Sequence, residues 1–193
     1  MHEEALGDRI GRQSAPTAQW FALTVKPRFE KTVAGALQAK GLDSFLPLYQ
    51  VRRRWSDRTK LLELPLFPGY VFSRFLSAER VPVLRTPGVR SIVGFGREPV
   101  SVPDAEIASV RAMVTSGLPV TPRPFLREGQ DVIVIEGPLR GVAGKLAGAE
   151  GEWQVVVNVQ LLRRSVAVTL DRGWVAPAGP VAADTGCQQD ERN

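Results

Sequence analysis

The chain has 193 residues, 44% of them apolar, and its 25 Lys and Arg against 20 Asp and Glu leave a net charge of +5, a composition that supports one medium or two small packed domains. No run of about 18 apolar residues occurs, and Met1–Gln19 is polar with Glu3, Glu4 and Asp8, so a helical membrane span and a secretory signal are excluded and a cytoplasmic protein is predicted. The single cysteine, Cys187, and the single histidine, His2, both lie in polar tails, which excludes an intrachain disulfide, a cysteine zinc site and a Ser-His-Asp or Cys-His centre; the prediction is a non-enzyme with no metal and no cofactor.

Residues 1–18 read as a disordered extension. Trp20-Phe21-Ala22-Leu23-Thr24-Val25 is a short apolar run rich in aromatic and β-branched types, which predicts a buried strand. Pro27 suits a helix start, Phe29, Val33, Ala36 and Leu37 share one helical face, and Gly41 stops the helix. A strand through Phe45, Leu48 and Val51 runs into a polar hairpin tip crowded by Arg52, Arg53, Arg54, Arg58 and Lys60, with Trp55 among the charges. Strands at Leu61–Leu66 and Tyr70–Phe75 join through Pro68-Gly69. A weaker helix follows at Ser77–Thr86 with Ser77 as a candidate N-cap, then a strand at Val89–Phe95. Gly94-Phe95-Gly96 does not match a phosphate loop and reads as a turn. Asp104 and Glu106 suit the first turn of a helix whose buried stripe is Ile107, Val110 and Val114.

Residues 117–127 hold three prolines within six positions and predict an extended, semi-stiff linker. Beyond it, apolar runs at Val132–Ile135, Val142–Leu146, Trp153–Val159 and Val166–Leu170, with a short end at Trp174-Val175, alternate with Gly-rich turns. That spacing predicts a small antiparallel barrel over 128–176. Residues 177–193 have little to bury and read as a disordered tail. Charge divides between the halves. Residues 19–116 hold 15 Lys or Arg against 8 Asp or Glu, whereas residues 128–176 hold 5 against 6. A basic domain beside a near-neutral one places nucleic acid, if present, at the first. The alternative is a generic solubilising surface.

Three patterns in this order resemble the NusG family of transcription factors: Trp20-Phe21 opening a strand followed by Lys26 and a helix; Leu66-Phe67-Pro68-Gly69-Tyr70-Val71 between two strands; and Glu136-Gly137-Pro138-Leu139-Arg140-Gly141-Val142-Ala143-Gly144-Lys145, which is similar to a KOW motif with Gly141 at its centre. The resemblance covers about residues 20–176. It implies an α+β chain: a polymerase-binding domain over 19–116, in which helices flank an antiparallel sheet, the linker at 117–127, and an SH3-like KOW barrel at 128–176. Gly137 and Gly141 would serve the KOW turn, where a positive φ or a close backbone approach excludes other residues. Pro68-Gly69 fits a type II turn.

The resemblance further implies that Trp20, Phe21, Phe67, Gly69 and Tyr70 form a groove for the clamp helices of the largest RNA polymerase subunit. Burial tendency alone instead makes Phe67 and Tyr70 core. By the same resemblance Lys26, Arg28 and the tip residues Arg52, Arg53, Arg54, Trp55, Arg58 and Lys60 would hold non-template DNA in the transcription bubble. Arginine beside an aromatic suits phosphate contact and base stacking, and a merely solvated tip is the other reading. Leu161 and Leu162 match a pair that meets the ribosomal protein NusE or the terminator Rho in the family, or they simply finish the barrel. The stretch Arg85–Pro103 is similar to the operon-specific RfaH and UpxY branches. The expected role is a monomeric elongation and antitermination factor that suppresses pausing. A ribosome-associated or general RNA-binding KOW protein is the alternative.

Overall fold

The structure, a computed structural model, describes residues 17–54, 59–96, 98–127, 129–148 and 153–178. The expectations for residues 1–16 and 179–193, and for Trp55 and Arg58 at the hairpin tip, lie outside these. The aromatic and β-branched opening run forms β1 (Gln19–Val25), buried on both faces and central in its sheet. Helix α1 (Glu30–Ala39) begins three residues after Pro27, because Lys26–Phe29 first makes a turn with Arg28 at φ 66°. The expected second strand is split by Pro47 into β2 (Asp43–Phe45) and β3 (Leu48–Arg54). Among the described residues strand β3 pairs only with β4 (Thr59–Pro65), so the basic hairpin stands apart from the main sheet.

Strand β5 (Tyr70–Phe75) returns beside β1, with Thr24 opposite Tyr70 and Gln19 opposite Phe75. The weak helix expected at Ser77–Thr86 resolves into a 3-10 turn at Ser77–Glu79 and a short α2 (Arg80–Leu84). Ser77 is not the N-cap. Leu76 holds that position and no side-chain cap forms. Strand β6 (Val89–Ile92) pairs with β1, and β7 (Gly94–Phe95) makes a small hairpin with β8 (Glu98–Pro99). Strand β9 (Ser101–Val102) also pairs with β1, ahead of α3 (Asp104–Thr115). The sheet order is β2-β5-β1-β6, antiparallel throughout.

Alternation along β1 sends side chains to two cores. Phe21, Leu23 and Val25 pack with Val33 and Leu37 of α1 and Val83 of α2. Trp20 and Ala22 face the other way, into a core with Phe72 and with Ile107, Val110 and Met113 of α3. Met113 takes the fully buried position expected of Val114, because i, i+3, i+6 from Ile107 is the inner row of this helix.

The second domain adds β10 (Val120–Pro124), β11 (Gln130–Val134), β12 (Ala143–Ala147), β13 (Trp153–Val159), β14 (Arg164–Leu170) and β15 (Val175–Pro177) in one antiparallel sheet ordered β10-β14-β13-β12-β11-β15. This is the all-β unit expected of a KOW-like domain. The expected linker needs correction. Residues 120–124, within the proline-rich stretch, form the edge strand of that sheet, with Val120 opposite Val168 and Pro124 opposite Arg164. An edge strand tolerates Pro122 and Pro124 because only one of its sides must donate to a ladder. No described helix is long and apolar enough to cross a membrane.

Nor are the two domains merely tethered. The α3-side core and the core of the second sheet, including Val132, Val155, Val157 and Val166, form one continuous apolar cluster. Helix α3 packs against β13, and Leu118, Val120 and Leu161 fill in around the cluster.

Candidate functional site

The Leu66–Val71 segment makes a tight turn between β4 and β5. The Tyr70 N–H donates to the Phe67 carbonyl at 3.1 Å, and Gly69 has φ 83°, as the third position of a type II turn requires. Gly69 is gripped from both sides. Its carbonyl accepts from the Val25 N–H at 2.9 Å, and its N–H donates to Glu30 Oε1 at 2.9 Å. Glu30 is itself 7% exposed.

The five residues expected to form a docking groove do not share one environment. Phe67 is 1% exposed and meets Phe72 edge-on at a centroid distance of 5.7 Å. Phe21 is also 1% exposed and packs on Phe75 at 4.6 Å, on the opposite, α1 face of the sheet. Trp20 is buried under α3, with the Arg111 guanidinium 5.5 Å from its ring centroid. Burial tendency therefore describes Trp20, Phe21 and Phe67 in this arrangement better than an open groove does. Pro68 is exposed and Gly69 and Tyr70 are half-buried, so the accessible part of the motif is the turn itself.

The cationic residues divide between two places: Lys26 and Arg28 follow Val25, which is bonded to the turn, whereas Arg52–Arg54 and Lys60 lie toward the far end of the β3–β4 hairpin. Lys26, Arg28, Arg52, Arg53, Arg54 and Lys60 are all exposed. The Lys26 N–H donates to the Gly88 carbonyl at 2.8 Å, which sets the Lys26–Phe29 loop against the α2–β6 loop that carries Arg85. Lys31, in the first turn of α1, donates to Glu63 Oε2 of β4 at 3.0 Å. An exposed pair of this kind adds little stability, but it marks where the basic hairpin leans on α1. Arg28 occupies left-handed backbone that a non-glycine residue adopts at a cost. Phe29, 42% exposed, follows it. Sequence reasoning misses Phe29 because its spacing matches the buried helical stripe. The strained turn that faces it outward is not encoded in that periodicity.

In the second domain the KOW turn separates its two glycines. Gly137 has φ 76°, and a Cβ there would lie 2.5 Å from the Trp174 ring. Gly141 has φ 89° with nothing within 4 Å of its absent Cβ, so only its backbone conformation is demanding. Leu162 is 8% exposed and Leu161 is half-buried, both part of the cluster shared with α3. Glu106 of α3 completes that contact, its Oε2 accepting from the Gln160 N–H at 3.2 Å. Burial pushes the Glu106 carboxyl above the usual carboxylate range, and the Gln160 hydrogen bond opposes this only in part.

A family model described as transcription termination factor nusG matches residues 18–111. The transcription termination/antitermination proteins NusG of two Helicobacter pylori strains are each 24% identical over 118 residues, 59% of this chain and 66% of theirs. The chain thus spans just under two thirds of those relatives. A structure of Thermotoga maritima NusG, from work on its domain interaction, matches with a TM-score of 0.52 and 23% identity, covering 84% of this chain and 98% of that one. At that identity the likeness concerns the fold. The family model covers the whole first-domain sheet and most of α3, including the Leu66–Val71 turn, and the likeness to the Thermotoga structure extends into the second, all-β domain. Over residues 18–111, the first domain with the Leu66–Val71 turn, the chain is thus similar to the NusG family.

Proposed function

We propose that this protein is a transcription elongation factor that binds RNA polymerase through the turn at Phe67–Tyr70 and holds exposed single-stranded DNA on its basic face. The observation that carries this reading is that one element, the first turn of α1, is tied both to the docking turn and to the base of the hairpin that carries the arginines. The first turn of α1 grips Gly69 through Glu30 and touches the basic hairpin through Lys31, immediately after the Lys26–Phe29 loop. One rigid element can thus present an apolar turn to a protein and cations to a phosphate chain. Pro68, Gly69 and Tyr70 meet the clamp helices of the largest subunit, an amphipathic-helix mode of recognition. Phe67 anchors the turn in the core beside Phe72, and Trp20 and Phe21 pack on opposite faces of β1 away from it.

The proposed action is a clamp. The first domain bridges the polymerase cleft and binds its closed state better than its open one, which shifts the population away from paused forms. Lys26, Arg28, Arg52, Arg53, Arg54 and Lys60 contact the non-template strand, chiefly at phosphates. Once undocked, the second domain recruits another machine, such as NusE or Rho, through the Leu161–Leu162 hairpin end, with tethering raising its effective concentration. We place the protein among operon-specific members, on the Arg85–Pro103 stretch and the aliphatic pair at 161–162. Affinity capture of the full chain from its host tests the core of this reading. Recovery of polymerase subunits with nascent transcripts supports it. Recovery of ribosomes without polymerase rejects it and supports the RNA-binding alternative.

A further inference from the structure

Glu30 is an unusual place for a carboxylate. It is 7% exposed, and it has no ion pair among the described residues. Its partner is a backbone amide on another element, Gly69 N–H at 2.9 Å. That amide belongs to no strand ladder, since the turn is closed by Tyr70 N–H to the Phe67 carbonyl. A half-buried turn amide without a partner is costly, and a hydrogen bond to a charged acceptor is about twice as strong as a neutral one. The carboxylate also lies in the first turn of α1, where the helix dipole favours negative charge. The Gly69 carbonyl is fixed separately by Val25 at the end of β1. The peptide planes on both sides of Gly69 are therefore fixed, and with them the direction in which Tyr70 leaves the turn.

We infer that Glu30 is the positioning residue of the docking turn: its buried carboxylate sets Gly69, and through it Tyr70, in the orientation that partner recognition uses. This rests on the proposed polymerase reading and deepens it. Glu30 does not touch the partner. It also joins the turn to the basic loop, because it directly follows Phe29 and precedes Lys31.

Two conservative variants separate position from charge. Glu30→Asp keeps the charge near the helix N-terminus but falls one methylene short of Gly69. Glu30→Gln keeps the reach and an acceptor oxygen but loses the charge. The full-length chain is titrated with a fragment of the host polymerase's largest subunit containing the clamp helices, at a temperature where circular dichroism shows each variant folded. Glu30→Asp is expected to bind about tenfold more weakly, and Glu30→Gln no more than about threefold, the former corresponding to about 1.4 kcal/mol. The Gly69 amide proton should exchange faster in Glu30→Asp than in Glu30→Gln. A purely structural role would lower the melting temperature and leave affinity per folded molecule unchanged, and that result overturns the inference. So does Glu30→Gln binding more weakly than Glu30→Asp. Tyr70→Ala is measured alongside. If it weakens binding while Glu30→Asp does not, the positioning role alone fails. If neither weakens binding, the polymerase reading fails and takes the inference with it.

Discussion

Glu106 on α3 accepts a hydrogen bond from the Gln160 backbone N–H of the second domain at 3.2 Å, a polar tie between α3 and the β13–β14 end. It sits at the rim of the apolar cluster that joins the two domains, next to Leu161 and Leu162. Docking is thus apolar in substance, with a desolvated carboxyl at its edge.

That carboxyl gives docking a pH dependence. Burial raises the Glu106 pKa above its ordinary value, so the docked state binds a proton more tightly than an undocked state in which the group is solvated. Stability of the docked arrangement is fully present below the ordinary carboxylate pKa and is lost as pH rises through the raised one. The window therefore opens at about 4.5 and extends upward to that raised pKa. Glu106→Gln keeps an oxygen for Gln160 and removes the charge. We expect it to increase docking at neutral pH and to flatten the acid dependence, read from NMR shifts of the β13–β14 amides between pH 4 and pH 7. A variant that undocks at neutral pH would show that the hydrogen bond to the charge outweighs its desolvation.

The Phe67–Tyr70 motif separates a core residue from a contact residue. Phe67→Ala empties a fully buried site beside Phe72, so it should destabilise the first domain by about 3 kcal/mol or more in denaturant titrations. Tyr70→Ala, at a half-buried position, should leave the fold largely intact and cost on the order of 2 kcal/mol of polymerase binding if Tyr70 is a hot spot. Equal stability losses for the two variants would place Tyr70 in the core as well.

Sequence reasoning succeeds where period and chemistry agree. The apolar run at Trp20–Val25, the Pro68-Gly69 turn and the β-branched runs of the second domain each allow one local structure, and each is present. It fails where distant contacts decide the outcome. The prolines at 122 and 124 argue locally for a linker, but β14 offers an edge that pairs with them. The joining of Trp20, α3 and the second sheet into one core depends on how two separately patterned units meet, and neither pattern contains that information. Glu30 has no signature of its own in the sequence, because nothing local announces that its carboxylate reaches an amide 39 residues away.

The two KOW glycines should differ in what they tolerate. Gly141→Ala meets open space and suffers mainly the positive-φ penalty, about 1 kcal/mol. Gly137→Ala suffers that penalty and also drives a methyl group into the Trp174 ring, for a total of about 3 kcal/mol. Urea titrations of the full chain, with Trp fluorescence as the probe, should rank Gly137→Ala well below Gly141→Ala. The reverse order would move the central role back to Gly141.

The basic hairpin is the best place to test the nucleic-acid half of the proposal. Arg52, Arg53 and Arg54 are exposed on a two-stranded arm outside the main sheet, so replacing all three by Ala removes charge without disturbing either core. If they neutralise phosphates of single-stranded DNA, binding to an oligothymidine should weaken. The slope of log K against log salt should also fall by roughly 0.7 for each phosphate no longer neutralised. Phosphate contacts position the strand without choosing its sequence, so the same variant should lose affinity uniformly across oligonucleotides. Its affinity for the isolated clamp-helix fragment should hardly change, because the Gly69–Tyr70 turn is held by Glu30 and Val25 and not by the hairpin tip. An unchanged salt slope would assign the arginines to solvation alone. Chromatin-occupancy mapping of the wild-type chain then decides the scope of the activity. Enrichment at a few transcription units that disappears in the triple variant supports an operon-specific factor recruited through DNA. Occupancy that follows polymerase over most genes, and survives the substitutions, supports a general elongation role resting on the docking turn.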